Sequence, residues 1–345
     1  MRTFKYLAVL LVLALFSAEV AQAQRFTSKK RYWSLGVTLN AMNYMGDIVP
    51  KDAPASFDLG FTRPTIGVTL ERRILPMMTV RAGLTYGTLS GDDYTSVIRA
   101  FGSVEAAMQD PSARFRLYRN LHFRNRIAEL SAVATIDLRQ NRGFFYQRPS
   151  GFTPYLMFGV AATYSNPQAK PEEDIPWVDL RPLETEGESY GSIVLSFPLG
   201  FGVKYKLNDR IDIGAEIGVR ITTTDRLDDV SGRYPDRTDM GEDAAYFAFR
   251  GNETVSAFGG EDRSGIISAM QDHYGVGSPG AVEAIFAFPG DENRAGERRG
   301  NDGTLYEDSD QRKLGLLSGA NDIYLVYGFK LNYIMGGGVS CPKFR

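Results

Sequence analysis

The run Ile211–Thr222, IDIGAEIGVRIT, decides the fold. Ile211, Ile213, Ala215, Ile217, Val219 and Ile221 alternate with Asp212, Gly214, Glu216, Gly218, Arg220 and Thr222. A period of two places the two series on opposite faces of a β-strand. One face is wholly apolar, while the other carries a carboxylate and a guanidinium in mid-strand. Twelve residues exceed the roughly 9–11 that a tilted strand needs to cross a bilayer. The pattern fits a strand with lipid on one side and an enclosed polar space on the other.

Seven further runs repeat it, within 33–41, 65–71, 78–86, 129–138, 156–164, 192–205 and 323–333. In the last of these, Ile323, Leu325, Tyr327, Phe329, Leu331 and Tyr333 oppose Tyr324, Gly328, Lys330 and Asn332. The links alternate in length. Short or moderate ones (72–76, 139–152, 207–210) follow the even strands, and long ones (46–63, 91–126, 165–191, 226–320) follow the odd strands up to the last. An even strand count with short turns at one end and long loops at the other describes an all-β, eight-stranded antiparallel transmembrane barrel with long extracellular loops. The middle turn is longer than that rule expects and suggests a periplasmic contact. A soluble sandwich also produces alternation. Against it stand the mid-strand charges and the tyrosines near strand ends (Tyr44, Tyr86, Tyr164, Tyr205, Tyr333), where interfacial girdles sit.

The rest of the chain agrees with export to the outer membrane of a Gram-negative-type envelope. Arg2 and Lys5 precede an apolar stretch at 6–16, and Ala21-Gln22-Ala23 fits a small-x-small cleavage site. Residues 1–23 read as a signal peptide, 24–32 as a periplasmic segment, 33–334 as the barrel and 335–345 as a periplasmic tail. Nothing after the signal has the roughly 18 apolar residues of a spanning helix. A net charge of −2 gives no argument for nucleic acid. One Cys excludes an internal disulfide framework and a multi-Cys zinc site.

An eight-stranded barrel is only wide enough for side chains to fill it. Arg81, Glu129, Lys204, Glu216, Arg220 and Lys330 all belong to inward series. They are expected to pair as a plug, because an uncompensated buried charge costs several kcal/mol; the alternative is an ion path. Inward glycines (Gly36, Gly67, Gly83, Gly214, Gly218) leave room for them. In the 226–320 link, 252–258 and 266–273 are expected to form short helices. Asp225, Asp228, Asp229 and Asp236 form an acidic cluster that can bind calcium through carboxylate oxygens. Its spacing does not match the EF-hand loop, and a capped turn with solvated acids is the competing reading. His122 and His273 both fall in expected outer loops. No GxSxG or HExxH spacing accompanies them, so no enzymatic activity and no cofactor are expected. Cys341 follows a glycine spacer and is either an idle thiol or a disulfide contact to a periplasmic partner.

Several stretches resemble one family in order along the chain: 36–47 (GVTLNAMNYMGD), 63–70 (RPTIGVTL), 81–92 (RAGLTYGTLSGD) and 120–126 (NLHFRNR). They continue with 152–161 (FTPYLMFGVA), 197–206 (FPLGFGVKYK), 213–231 (IGAEIGVRITTTDRLDDVS) and the CPKFR ending. In these the chain is similar to the PorG-like outer-membrane barrels of Bacteroidetes. The resemblance implies a structural barrel that tethers a periplasmic ring complex of type IX protein secretion to the outer membrane. The expected partners are outer-membrane lipid and the ring proteins, with both termini periplasmic. A surface adhesion or ligand-binding barrel acting through the 226–320 link is the other reading.

Overall fold

The structure of the protein, a computed structural model, describes residues 26–48, 58–171, 175–232, 240–256, 258–275, 277–278 and 321–335. Eight long strands form the body: β1 (Trp33–Met45), β2 (Arg63–Arg73), β3 (Met78–Asp92), β4 (His122–Asp137), β5 (Phe152–Tyr164), β6 (Ile193–Lys206), β7 (Ile211–Thr222) and β8 (Ile323–Met335). Each pairs antiparallel with its neighbour in the chain. β1 pairs with β8 from Trp33↔Met335 to Met45↔Ile323, which closes the sheet into the expected barrel.

Closure sorts the two side-chain series. Leu35, Val37, Leu39, Ile66, Val68, Leu84, Leu195, Leu199 and Phe329 are exposed on the outside, an apolar belt with no protein partner. Tyr86 and Tyr164 are exposed on the outer face at one end of this belt, and Trp33, Phe152, Tyr205 and Tyr333 at the other. Tyr44 does not join them. It sits one position out of phase with Trp33, Leu35 and Leu39, so its ring points inward and is buried. No helix among the described residues is long and apolar enough to cross a membrane.

The expected 91–126 link is shorter than the sequence suggests. β3 runs to Asp92 and β4 starts at His122, which pair with each other. Beyond Tyr86 the alternation fails because both faces of this ribbon are covered. Leu89, Ser90, Asp92, His122, Phe123 and Asn125 are all buried. The ribbon rises past the apolar belt and carries α1 (Asp93–Phe101), α2 (Val104–Ala107) and α3 (Pro111–Arg119). Each starts on a side-chain cap: Asp92 accepts from Thr95 N, Ser103 from Ala106 N, and Asp110 from Ala113 N.

From the long link come α4 (Glu242–Ala248) and α5 (Ser264–Tyr274). α5 matches the expected second helix. The described residues of the expected helix at 252–258 are not helical. There Val255 bridges Asp262 antiparallel, turning through Gly260 at φ +69°, and the helix lies earlier in the link, at α4. Val97, Leu117, Tyr118, Phe249, Ile266 and Met270 form a buried apolar cluster over the barrel, so the described links make a cap with its own core.

Candidate functional site

The interior has two layers of different chemistry. In the half nearer the short turns, Glu71 and Arg81 are directly opposed across the β2–β3 ladder. Arg81 Nε donates to Glu71 Oε1 (2.7 Å), and its Nη1 and Nη2 each donate to Glu216 (2.8 Å). Lys330 Nζ donates to Glu71 Oε1 (2.7 Å) and lies 2.9 Å from Glu216 Oε1. Two acids and two bases thus close a neutral ring across the lumen. Asn332 adds a hydrogen bond to Glu71, and the Tyr155 hydroxyl adds one to Glu216. The Tyr155 ring has room because its ladder partner is Gly202; a Cβ there would come within 2.5 Å of Tyr155 Cζ.

The sequence reading grouped six charges, and the structure divides them. Arg81, Glu216 and Lys330 share the ring. Arg220 and Glu129 form a second pair (3.4 Å), with the Tyr324 hydroxyl donating to Glu129 Oε2 (2.7 Å). Lys204 stands apart from both, paired with Asp137 at the turn end (2.6 Å). Glu71, Asp137 and Tyr155 were missed. Glu71 obeys the same inward parity as Thr65 and Thr69, so parity alone had placed it.

The long middle turn lies across this end. Its Arg148 donates to Asp212 and to the carbonyls of Asn208 (3.0 Å) and Asp209 (3.1 Å) in the next turn. Arg73 spans Asp137 (3.3 Å) and the Pro76 carbonyl. The void among Arg73, Asp137, Arg148, Lys204 and Asp212 is about 20 Å³, room for about one water. Its length therefore serves closure of the barrel end.

Towards the cap the lumen turns apolar. Met42, Leu89, Phe123, Ile127, Tyr324 and Val326 are buried together with Ile48, Leu121, Leu227 and Val230 from the links. At this mouth three acids meet: Asp47, Asp228 and Asp322 are buried, with ligand atoms within 4.8 Å of one another. Burial pushes the Asp228 carboxyl up to about 7. Burial and the neighbouring Asp228 and Asp47 hold Asp322 well above the usual carboxylate range.

Of the four acids read from the sequence as one cluster, the three described ones face different partners. Asp228 joins Asp47 and Asp322, while Asp229 accepts from the hydroxyls of Thr185 and Tyr190 (2.5 Å for Tyr190). Asp225 lies near enough to raise both Asp228 and Asp322, and Asp236 falls outside the described residues.

His122 is not in a loop; it is the first residue of β4, above the apolar belt, and is buried. Its Nε2 accepts from Lys170 N (2.9 Å) and its Nδ1 lies 3.2 Å from Arg250 Nη1. Burial, Arg250 and Lys170 lower its pKa well below the ordinary value. His273 lies on α5. The signal segment, the tail and Cys341 lie outside the described residues.

No curated protein matches the chain. Among solved structures it is similar to Neisserial surface protein A: 12% identity, 55% of this chain and 82% of that chain covered, TM-score 0.29. The N-terminal β-barrel domain of Pseudomonas aeruginosa OprF is 12% identical over 54% of this chain and 84% of that one, TM-score 0.26. Ail of Yersinia pestis is 7% identical over 55% and 87%, TM-score 0.29. A family model, the outer membrane protein beta-barrel domain, matches residues 8–241. With the closed eight-stranded barrel and its outward apolar belt, this match over more than half of its length makes the chain a member of the outer membrane protein β-barrel family.

Proposed function

We propose that this outer-membrane barrel is neither a pore nor an enzyme, and that it works through its two ends. The observation that carries the reading is the neutral ring of Glu71, Arg81, Glu216 and Lys330 across the lumen, with an apolar layer above it. A barrel filled in this way offers lipid its belt and offers partners only its ends. In the proposed orientation the short turns and both termini face the periplasm and the cap faces outward, following the rule of short periplasmic turns. The role is structural: tethering a periplasmic ring complex of type IX secretion, a reading supported by the PorG-like stretches. The turn end suits docking because its middle turn is fixed by Arg148 and Arg73.

A second reading, surface adhesion or ligand binding through the 226–320 link, is favoured by the cap core that Phe249, Ile266 and Met270 of that link complete. Affinity purification from detergent-solubilised outer membrane separates the two. Ring-complex proteins that co-purify, and are lost when 139–152 is replaced by a short turn, support tethering. Their absence, with surface binding lost on removal of the cap, supports the second reading. Stepwise single-channel conductance from the purified barrel in planar bilayers would overturn the closed lumen.

A further inference from the structure

We propose that Asp47, Asp228 and Asp322, together with the Tyr44 hydroxyl, bind a hard divalent cation of the calcium type at the capped mouth of the barrel. The inference goes beyond the tethering and adhesion readings and depends on neither.

The fold brings the three acids together from distant parts of the chain. Asp47 follows the end of β1 at Met45, Asp322 precedes the start of β8 at Ile323, and Met45 and Ile323 are register partners at the closing seam. Asp228 arrives from the link after β7, the other neighbour of β8. All three carboxylates are buried, at 4, 2 and 2% exposure, and the surroundings include Met42, Ile48, Leu89, Leu121, Phe123, Leu227 and Val230. Charge in such a place must be balanced locally.

Hydrogen bonds orient the group. The Tyr44 hydroxyl donates to Asp322 Oδ1 (2.7 Å) and itself accepts from Asp47 N (3.1 Å). Leu227 N donates to Asp322 Oδ2 (2.8 Å), and Val230 N donates to Asp228 Oδ1 (3.0 Å). Asp228 Oδ2 is left fully buried in the cluster with no hydrogen-bond partner. A buried carboxylate oxygen without a donor is what a metal ligand looks like before the metal is added.

Among the described residues, a guanidinium bonded to another acid lies beside the group. Arg119 makes two 2.7 Å bonds to Asp93, both side chains being fully buried, and its Nη2 also donates to the Asp47 carbonyl (3.2 Å).

Size and chemistry select the ion class. Ligand atoms lie within 4.8 Å of one another, close enough for one hard cation to touch all three carboxylates. The donors are all oxygen, which excludes the soft-ligand metals. An ion here would tie the link after β1, the link after β7 and the start of β8 into one knot under the cap.

The test uses the mature full-length protein folded in detergent, with calcium-45 equilibrium dialysis and terbium luminescence at neutral pH. We expect about one calcium per chain with a dissociation constant at or below about 1 mM. Asp322→Asn and Asp228→Asn should each weaken binding by about tenfold or more, as ligand charge is removed, while Asp229→Asn leaves it unchanged. Terbium emission excited through tyrosine should fall in Tyr44→Phe, and calcium should protect the 46–62 link from protease. Heat-modifiable migration in electrophoresis confirms that each variant is folded. Should either Asn variant fail to fold, chelator titration of the wild-type protein with protease protection as the readout gives the same decision. No saturable calcium binding in the wild type, or binding that persists in both Asn variants, means that protons alone neutralise the cluster and overturns the proposal.

Discussion

Removing one member of the lumen ring should be far more damaging than removing a matched pair. In Arg81→Met, Glu71 and Glu216 lose the three hydrogen bonds that Arg81 donates and are left to share Lys330. The ring goes from neutral to a net charge of about −1 in a space closed to bulk water, a change of the kind that costs about 3–5 kcal/mol. Glu216→Gln alone leaves one cation in excess and should cost a similar amount. Together the two substitutions restore neutrality: Lys330 keeps Glu71 at 2.7 Å, and the new amide oxygen still accepts from Tyr155. The double variant should then lie within about 1–2 kcal/mol of wild type, a coupling at or above the upper end of the roughly 0.5–3 kcal/mol seen for contacting residues. Urea unfolding from lipid vesicles, followed by tryptophan fluorescence, measures all four proteins. Strict additivity of the two single changes, or a cost below about 1 kcal/mol for Arg81→Met, would refute the ring as a coupled unit.

Two further outcomes are expected. Ile217 points into the apolar belt, so Ile217→Arg should cost about 2–4 kcal/mol or block assembly; tolerance equal to that of an exposed cap position would undo the assigned facing. His122 is held neutral by burial, Arg250 and Lys170. Its folded pKa lies below the unfolded value of about 6.5, so the unfolded cap binds the proton first. The stabilising contribution is complete above about pH 6.5 and is lost as pH falls below it towards the folded pKa. Protection factors of amides at 93–121, corrected for the intrinsic pH dependence of exchange, should therefore fall between about pH 7.5 and 5 in the wild type, and His122→Gln should flatten that dependence.

The barrel was legible because lipid and lumen impose opposite demands on alternate residues, and Ile211–Thr222 or Ile323–Met335 satisfies both over a full crossing. The same parity places Glu71 and Tyr155 in the lumen. What it does not give is which charge meets which, because that depends on strand stagger. Lys204 and Lys330 have the same inward parity, yet Lys204 sits low enough to meet Asp137, while Lys330 reaches Glu71 and Glu216. Where the belt ends, the two-sided demand ends as well. Phe123 and Ile127 are apolar and inward, Leu89 likewise, and the ribbon of β3 and β4 is buried on both faces. A reader of periodicity sees a loop there because period two carries no signal when neither face meets solvent or lipid.

The three acids at the mouth were illegible for a different reason. Asp225, Asp228 and Asp229 are neighbours in sequence, and adjacency suggested a shared ligand. In the link after β7, successive side chains diverge: Asp229, with φ +70°, turns to Thr185 and Tyr190, while Asp228 turns to the closing seam. The partners of Asp228 stand beside strand ends that the barrel topology makes adjacent, Met45 and Ile323. Topology was therefore the missing signal. In a closed antiparallel barrel the end of the first strand and the start of the last are neighbours, so acids just outside both define a mouth position before any side chain is placed. Asp47 and Asp322 meet that condition, and Tyr44, out of phase with the outer girdle, is the aromatic that turns inward to join them.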